Sequence, residues 1–500
     1  MSAESLTATL ALIGIVILIS SLLSGAVERT GLPQVVIFLL VGAALGPSGL
    51  GLVDLTLESG SLKVIATLGL VLVLFSDAIG VDTGELRLQR RLALGILGPG
   101  TLLPAAIVAL AAWLLLGLSI PASAILGAAL ASTDPVLLRT LVRHPSMPPA
   151  ARLALRIESG MNDVILLPIV ILGMLALGAG AAADGESHLG RHLVGLFLLG
   201  PALGVAAGYI AIMLLDQVRK QVGVRRDYES LYALGIAFTA YALAEGVGGS
   251  GFLAAFAAGL TVAALDVELC DCFLDYGEAS AEMFLLLTFV AFGASLIWTG
   301  LEVIDARMLL FALVALGART AVLLPVLPAA GVHGRDRWII ALFGARGLSS
   351  LLLVLLPVFA GMAGSERLFA ITSLVVLLSV VLHGGGIALY LRQVARRESE
   401  GPAGPAATRR PSKMGERRPE AESVVASAAE PVGEKITIDE VKALMAAGAP
   451  LILGDVRTER SYRDDDLQAT GAVRLPPDDA VRLAREMRLS QHSTLVLYCA

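Results

Sequence analysis

The residues of this chain that could do chemistry are ionisable side chains set inside apolar stretches. ASTDPV (131–136) places Asp134 directly before Pro135. RIESGMNDVILLP (156–168) carries Glu158, Ser159, Asn162 and Asp163. Arg319, within LVALGARTAVLLPVL, and Arg346, within ALFGARGLSSLLLV, complete the set. A charge at the centre of a bilayer costs about 2.5–3.5 kcal/mol even on the lenient insertion scale, so such residues mark ion or proton pathways. Their chemistry would be oxygen donors for a hard cation, carboxylates that exchange protons, and fixed cations to balance them.

Each cluster has a plainer reading to weigh. Pro135 removes a backbone donor and pushes Asp134 away from helical geometry, so the span should break at Thr133–Asp134. A break frees carbonyls and half-helix ends for a cation. Alternatively Asp134 caps a helix at the membrane surface. The apolar run 127–130 before it, with Arg139 and Arg143 marking the rim after it, favours the interior. At 100° per residue, Glu158, Ser159, Asn162 and Asp163 share an arc of about 140°. Glu158 stacks on Asn162, and Ser159 on Asp163. A surface pairing with Arg152 or Arg156 would explain Glu158, but not the deeper Asp163. Arginine keeps its proton, so Arg319 and Arg346 need carboxylate or carbonyl partners. Glu158 suits one of them, which leaves Asp163 as the group free to titrate. Gly344, Gly347 and Ser349 mark a second interrupted helix.

These clusters need elements to hold them. Of 500 residues, 56% are hydrophobic and 16% charged, at a mean hydropathy of +0.80. A soluble chain spends about a quarter of its residues on Asp, Glu, Lys and Arg. The balance excludes a soluble enzyme, a disordered chain and a collagen. Three cysteines are too few for a disulfide framework, and a net charge of −6 gives no reason to expect nucleic acid. The class that remains is a polytopic α-helical membrane protein. Apolar runs of about twenty residues, each able to cross roughly 30 Å of hydrocarbon, predict thirteen spans. They lie near 6–25, 33–52, 62–81, 93–117, 121–140, 153–179, 193–215, 230–246, 250–266, 283–300, 308–329, 337–360 and 368–391. No signal peptide is expected, because 1–9 lacks a basic start. The breaks fall in spans five and twelve, seven apart, as in two inverted six-span repeats joined by a linking span. Paired broken helices of this kind point to a transporter binding site.

Basic residues concentrate on alternate loops (Arg87, Arg90 and Arg91; Arg219, Lys220, Arg225 and Arg226; Arg392, Arg396 and Arg397). This bias puts the N-terminus outside and the C-terminus in the cytoplasm. Loop 266–282, which should be cytoplasmic, carries only acids. After residue 395 the composition changes. Segment 398–434 is rich in Pro, Ala, Ser and charge and reads as a disordered linker. Segment 435–500 alternates helix (438–447, 478–488) with apolar strand (450–456, 494–498), the pattern of a small α/β domain.

The motifs of 5–395 resemble the cation:proton antiporter-1 family of sodium/proton exchangers, of the prokaryotic antiporter P kind. GLPQVVIFLLVGAALGPSGLGL (31–52) and LGLVLVLFSDAIGVD (68–82) look like its second and third spans, with Ser76–Asp77 a departure. ASTDPV, RIESGMNDV and FGARGLSS match its intramembrane motifs in order and spacing. The resemblance implies a homodimer in the cell membrane whose ion-translocation domain moves against a dimerisation domain. It implies that Thr133 (by its backbone), Asp134, Ser159 and Asp163 hold Na⁺, or K⁺ or Li⁺. Asn162 would steady the site, Glu158 would bridge to Arg319, and Arg346 would support the unwound twelfth segment. The Asn162–Asp163 pair looks like the family's electroneutral form, one sodium for one proton. Sodium and proton would compete for Asp163, because each neutralises a carboxylate in a partly dry cavity. No resident cofactor is expected.

Segment 435–500 resembles a rhodanese domain, with Asp455-Val456-Arg457 after its first strand and LVLYCA (495–500) leading to Cys499. The resemblance implies that Cys499 is the nucleophile that accepts sulfane sulfur. LQATG (467–471) departs from the usual Gly-His-Ile-Pro-Gly stretch. On its own, a cysteine after an apolar strand is usually a small buried hydrophobe. A second reading of the whole chain is therefore a membrane-tethered sulfurtransferase, or a sulfur or redox sensor using Cys499. Cys270 and Cys272 read as ordinary loop residues, and His383 as a packed core histidine.

Overall fold

The computed structural model describes residues 34–47, 49–52, 56–80, 89–144, 147–179, 194–222, 226–265 and 278–390. Beyond these it describes 451–456, 471–475, 494–498 and a few isolated positions. The chain divides into two compact units, Met1–Gly404 and Pro405–Ala500.

The first unit is helical: α1 Gln34–Leu45, α2 Gly60–Ile79, α3 Arg90–Leu97, α4 Pro99–Leu116, α5 Ile120–Ala131, α6 Pro135–Arg143 and α7 Pro149–Ala179. There follow α8 Gly200–Gln221, α9 Arg226–Gly246, α10 Gly251–Leu265, α11 Glu278–Ala294, α12 Ala306–Ala329, α13 Gly334–Leu342, α14 Leu348–Phe359 and α15 Ser365–Ser379. The last helix passes through a π-turn at Val380–Gly384 and runs on to Tyr390. Among the described residues seven helices are long and apolar enough to cross a membrane. Val35–Leu45, Gly251–Leu265 and Leu348–Phe359 are shorter apolar helices.

Every expected span except the first coincides with described helix. Span 6–25 lies outside the described residues except for Gly14 and Leu18, so the count of thirteen stays an expectation. The fourth span differs from its expectation of one continuous helix. It is two helices, α3 and α4, parted at Gly98, whose ψ of −99° is not helical, with Pro99 opening α4. Proline at a first helical position suits that start, since its missing N–H would be unpaired there anyway.

Side chains divide by face as a bilayer demands. Leu102, Leu110, Leu114, Tyr209 and Met213 are exposed along α4 and α8, whereas Phe38, Phe289, Phe292, Phe311 and Phe369 are fully enclosed. Where helices touch most closely the residues are small. A Cβ on Gly204 of α8 would collide with the Ala254 carbonyl of α10. Such close backbone approach replaces the hydrophobic drive that is weak between helices in lipid.

In the second unit three parallel strands, β1 Leu451–Asp455, β2 Val473–Arg474 and β3 Thr494–Tyr498, lie in the order β2-β1-β3. Leu451 pairs with Thr494 and Asp455 with Tyr498. Parallel neighbours need crossover connections, which is the α/β pattern. The two-residue β2 was not expected, because it has no apolar run to reveal it. The expected helices 438–447 and 478–488 fall almost wholly outside the described residues.

Candidate functional site

The site forms where two interrupted helices meet. After Ala131 the chain leaves helix: Ser132 (φ −64°, ψ 135°) and Asp134 (φ −89°, ψ 116°) are extended. Pro135 then opens α6, with Asp134 as its N-cap. The second break runs from Phe343 to Gly347, between α13 and α14. The Asp134 amide donates to the Ala345 carbonyl at 2.9 Å, which ties the two breaks together through backbone.

Each break caps the other. Asp134 Oδ1 accepts from the Val136 amide of its own half-helix at 2.8 Å. Its Oδ2 accepts from the Leu348 amide, at the start of α14, also at 2.8 Å. One carboxylate thus sits at two helix N-termini, where unpaired amides and the dipole favour negative charge. In return Arg346 Nη1 donates to the Ala131 and Ser132 carbonyls, at 2.7 and 3.2 Å, where α5 ends. The last carbonyl region of α13 is met likewise: Arg319 Nη1 and Thr320 Oγ1 both donate to Ala341 O at 2.9 Å.

The glycines of FGARG have a second role besides loosening the helix. A Cβ on Gly347 would overlap the Asp134 carboxylate, and one on Gly344 would overlap the Arg319 guanidinium. The break is glycine-rich because two charged groups lie directly on its backbone.

Helix α7 lays the polar face of RIESGMND against this crossing. Arg319 forms a two-pronged ion pair with Glu158, Nε to Oε1 and Nη2 to Oε2, at 2.5 Å each. Both partners are buried, so neither charge is open to solvent. Asn162 Nδ2 donates to Thr133 Oγ1 at 2.8 Å. Ser132 Oγ donates to Asp163 Oδ1, and Ser349 also lies within hydrogen-bonding reach of that carboxyl. Asp163 Oδ2 and Asn162 Oδ1 are buried with no protein partner. An unpartnered buried carboxyl oxygen costs about 1–3 kcal/mol or more, so its presence calls for a chemical reason.

The structure therefore brings Thr133, Asp134, Asn162, Asp163 and Arg346 together, with Glu158 and Arg319 paired beside them. Ser159 is one helical step away, and its hydroxyl donates to the Leu155 carbonyl of its own helix at 2.8 Å. Its oxygen keeps a lone pair to offer. Cys499, Cys270 and Cys272 lie outside the described residues. Ser132 escaped the sequence reading, and Ser349 entered it only as a mark of the second interrupted helix, although both stand inside the quoted motifs. A hydroxyl carries no burial penalty large enough to make it conspicuous. Every donor at the crossing is an oxygen from carboxylate, hydroxyl, amide or backbone, a set suited to a hard cation.

Residues 15–393 match the family described as "Sodium/hydrogen exchanger, transmembrane". The K(+)/H(+) antiporter NhaP2 of Shewanella sp. (strain MR-4) is 25% identical over 398 residues, covering 78% of this chain and 68% of that protein. The K(+)/H(+) antiporter NhaP of Alkalimonas amylolytica is 26% identical over 398 residues, covering 78% of this chain and 67% of its own. Among solved structures, the sodium proton antiporter MjNhaP1 from Methanocaldococcus jannaschii superposes with a TM-score of 0.60 at 21% identity. That match takes in 76% of this chain and 99% of the other, a likeness of fold.

Proposed function

Because the chain belongs to the sodium/hydrogen exchanger family, we propose that it is a secondary antiporter exchanging a monovalent cation for protons across the cytoplasmic membrane. The observation that carries this reading is the Asp163 carboxyl. It is buried, held by Ser132 on Oδ1 with Ser349 in reach, and Oδ2 has no hydrogen-bond partner among the described residues. That second oxygen is the place where proton and cation take turns. Either one neutralises the carboxylate, and a neutral site crosses the low-dielectric interior far more easily than a charged one. Thr133 and Ser159 supply further oxygens. Asp134 adds its charge while its two oxygens stay on the half-helix amides. Glu158 and Arg319 neutralise each other and carry nothing.

Several finer points belong to the same proposal. With Asn162 beside Asp163, only one carboxyl of this helix pair exchanges its charge, which supports one cation for one proton without net charge movement. Na⁺ and K⁺ are both candidates, since similar relatives are named for potassium and others for sodium. The protein works as a homodimer with its C-terminus in the cytoplasm. Residues 435–500 act as a rhodanese-like regulatory module. The parallel order β2-β1-β3, with buried Asp455 facing Arg474, supports an α/β domain there. A sulfurtransferase or sulfur sensor using Cys499 is the second reading, confined to that module.

The test is exchange in proteoliposomes. Asp163→Asn should abolish cation-driven proton movement for Na⁺, K⁺ and Li⁺ alike, while the protein still folds and inserts. Exchange retained at more than a tenth of the native rate would remove Asp163 from the central role.

A further inference from the structure

His383 lies in the last helix, in an otherwise apolar and glycine setting, and nothing in the ion site touches it directly. Its surroundings nonetheless form a chain. His383 Nδ1 is 3.1 Å from Ser379 Oγ. Ser379 Oγ accepts from the Arg346 backbone amide at 2.7 Å, in the middle of the second break. The Arg346 side chain then reaches Ala131 O and Ser132 O, and Ser132 Oγ holds Asp163. His383, Ser379 and Arg346 are all buried. The pair sits at a π-turn, Val380–Gly384, and such turns recur at functional positions in helices.

Hydrogen-bond arithmetic gives this chain a direction. The Arg346 amide can only donate, so Ser379 Oγ must accept there. The hydroxyl keeps its proton and a second lone pair for His383 Nδ1, which also lies 3.3 Å from the Ser379 carbonyl. Either neutral tautomer satisfies this contact, with Nδ1 accepting from the hydroxyl or donating to Ser379. A doubly protonated ring would turn Nδ1 into a donor, whose proton the Ser379 carbonyl can accept. It would also add a cation to a region that already holds Arg346 and Arg319. Arg346, from the break before α14, and Arg319, from α12, both act on His383 electrostatically.

We infer that Ser379 and neutral His383 are positioning residues for transport, clamping the Arg346 amide so that the second break presents its cap to α5 and keeps Ser132 on Asp163. The inference rests on the antiporter reading and assigns that site a support outside its own motifs. Sequence alone makes His383 a packed core histidine. Here it completes a polar relay into the crossing.

The discriminating variants are His383→Leu, His383→Asn and Ser379→Ala, each in the full chain in proteoliposomes. An asparagine oxygen can occupy the place of Nδ1 and accept from Ser379, but it does not titrate. His383→Leu and Ser379→Ala should lower the maximal exchange rate about tenfold, with the apparent KM for the cation changed much less. His383→Asn should restore the rate to within about twofold and extend activity to more acidic pH than the native protein tolerates. Should His383→Leu fail to insert, Ser379→Ala tests the same bond with a smaller change. Native rates and an unchanged pH profile in the leucine and alanine variants would overturn the inference. So would an asparagine variant as impaired as the leucine one, which would leave only a packing role. A native protein with no cation-driven proton exchange would instead overturn the antiporter reading itself.

Discussion

The two breaks at the crossing solve one problem with unlike means. The first, Ser132 to Asp134, is short and set by a proline; it contributes a carboxylate and hydroxyls. The second, Phe343 to Gly347, is longer and set by glycines; it contributes a guanidinium and empty space. They also differ in reach. Asp134 holds helix starts on both sides of the crossing, Val136 in its own chain segment and Leu348 in the other. The Arg346 side chain reaches the end of α5. The first break therefore lends charge and a hydroxyl to Asp163 of α7 and does most of the fastening, while the second makes room for it. Polar atoms that would be intolerable in lipid survive because each half-helix end has a partner from across the crossing.

The largest expected effect tests that asymmetry. Asp134→Ala leaves two buried amides without their acceptor, at about 1.5 kcal/mol or more for each charge-assisted bond. At about 1.4 kcal/mol per factor of ten, exchange should fall by about a hundredfold. Arg346→Gln keeps a donor near the α5 carbonyls and should cost about tenfold. Rates measured side by side decide the matter. If the arginine variant is the more damaged of the two, the second break is the principal fastening and the comparison reverses.

A smaller effect is expected from filling the space. Gly347→Ala drives a methyl into the Asp134 carboxylate, against backbone that is tied by hydrogen bonds on both sides. Overpacking of this kind costs about 1–3 kcal/mol. The variant should lower both thermal stability in detergent and exchange rate. Gly317→Ala, where a Cβ meets nothing nearby and alanine suits a helix interior, is the control and should lower neither. A Gly347→Ala protein with native stability would show that the second break yields freely, contrary to its proposed role as a fitted cradle.

Much of this was legible beforehand, for particular reasons. Asp134 before Pro135 announces a break, because the ring removes a donor and constrains its neighbour. Gly344 and Gly347 announce another. The face shared by Glu158, Asn162 and Asp163 follows from helical periodicity alone. What periodicity cannot show is which segments lie together. The use of Asp134 at the start of α14, some two hundred residues away, depends on a crossing that no local signal encodes. The same holds for Ser379 on Arg346. Gly98 failed as a signal because a single glycine in an apolar run is compatible with a continuous span. Asp77, a departure from the family's third span, lies half-buried in α2, and its backbone carbonyl comes within 3.9 Å of where a Cβ on Gly160 would stand.

The smallest effect sharpens the division between fastening and chemistry. Ser132 stands in the first break, yet its hydroxyl fastens nothing. It donates to Asp163 while its carbonyl accepts from Arg346. Ser132→Ala removes only the hydroxyl and leaves that carbonyl in place. Stability in detergent should stay native. Loss of one donor to a carboxylate, at about 1–2 kcal/mol of preference for the ionised form, favours the protonated acid. Protons then outcompete the cation, so the apparent KM for Na⁺ or K⁺ should rise about tenfold at neutral pH. The deficit should shrink as pH rises, because fewer protons compete. A variant impaired equally at every pH would show that Ser132 shapes the break and does not tune the exchange at Asp163.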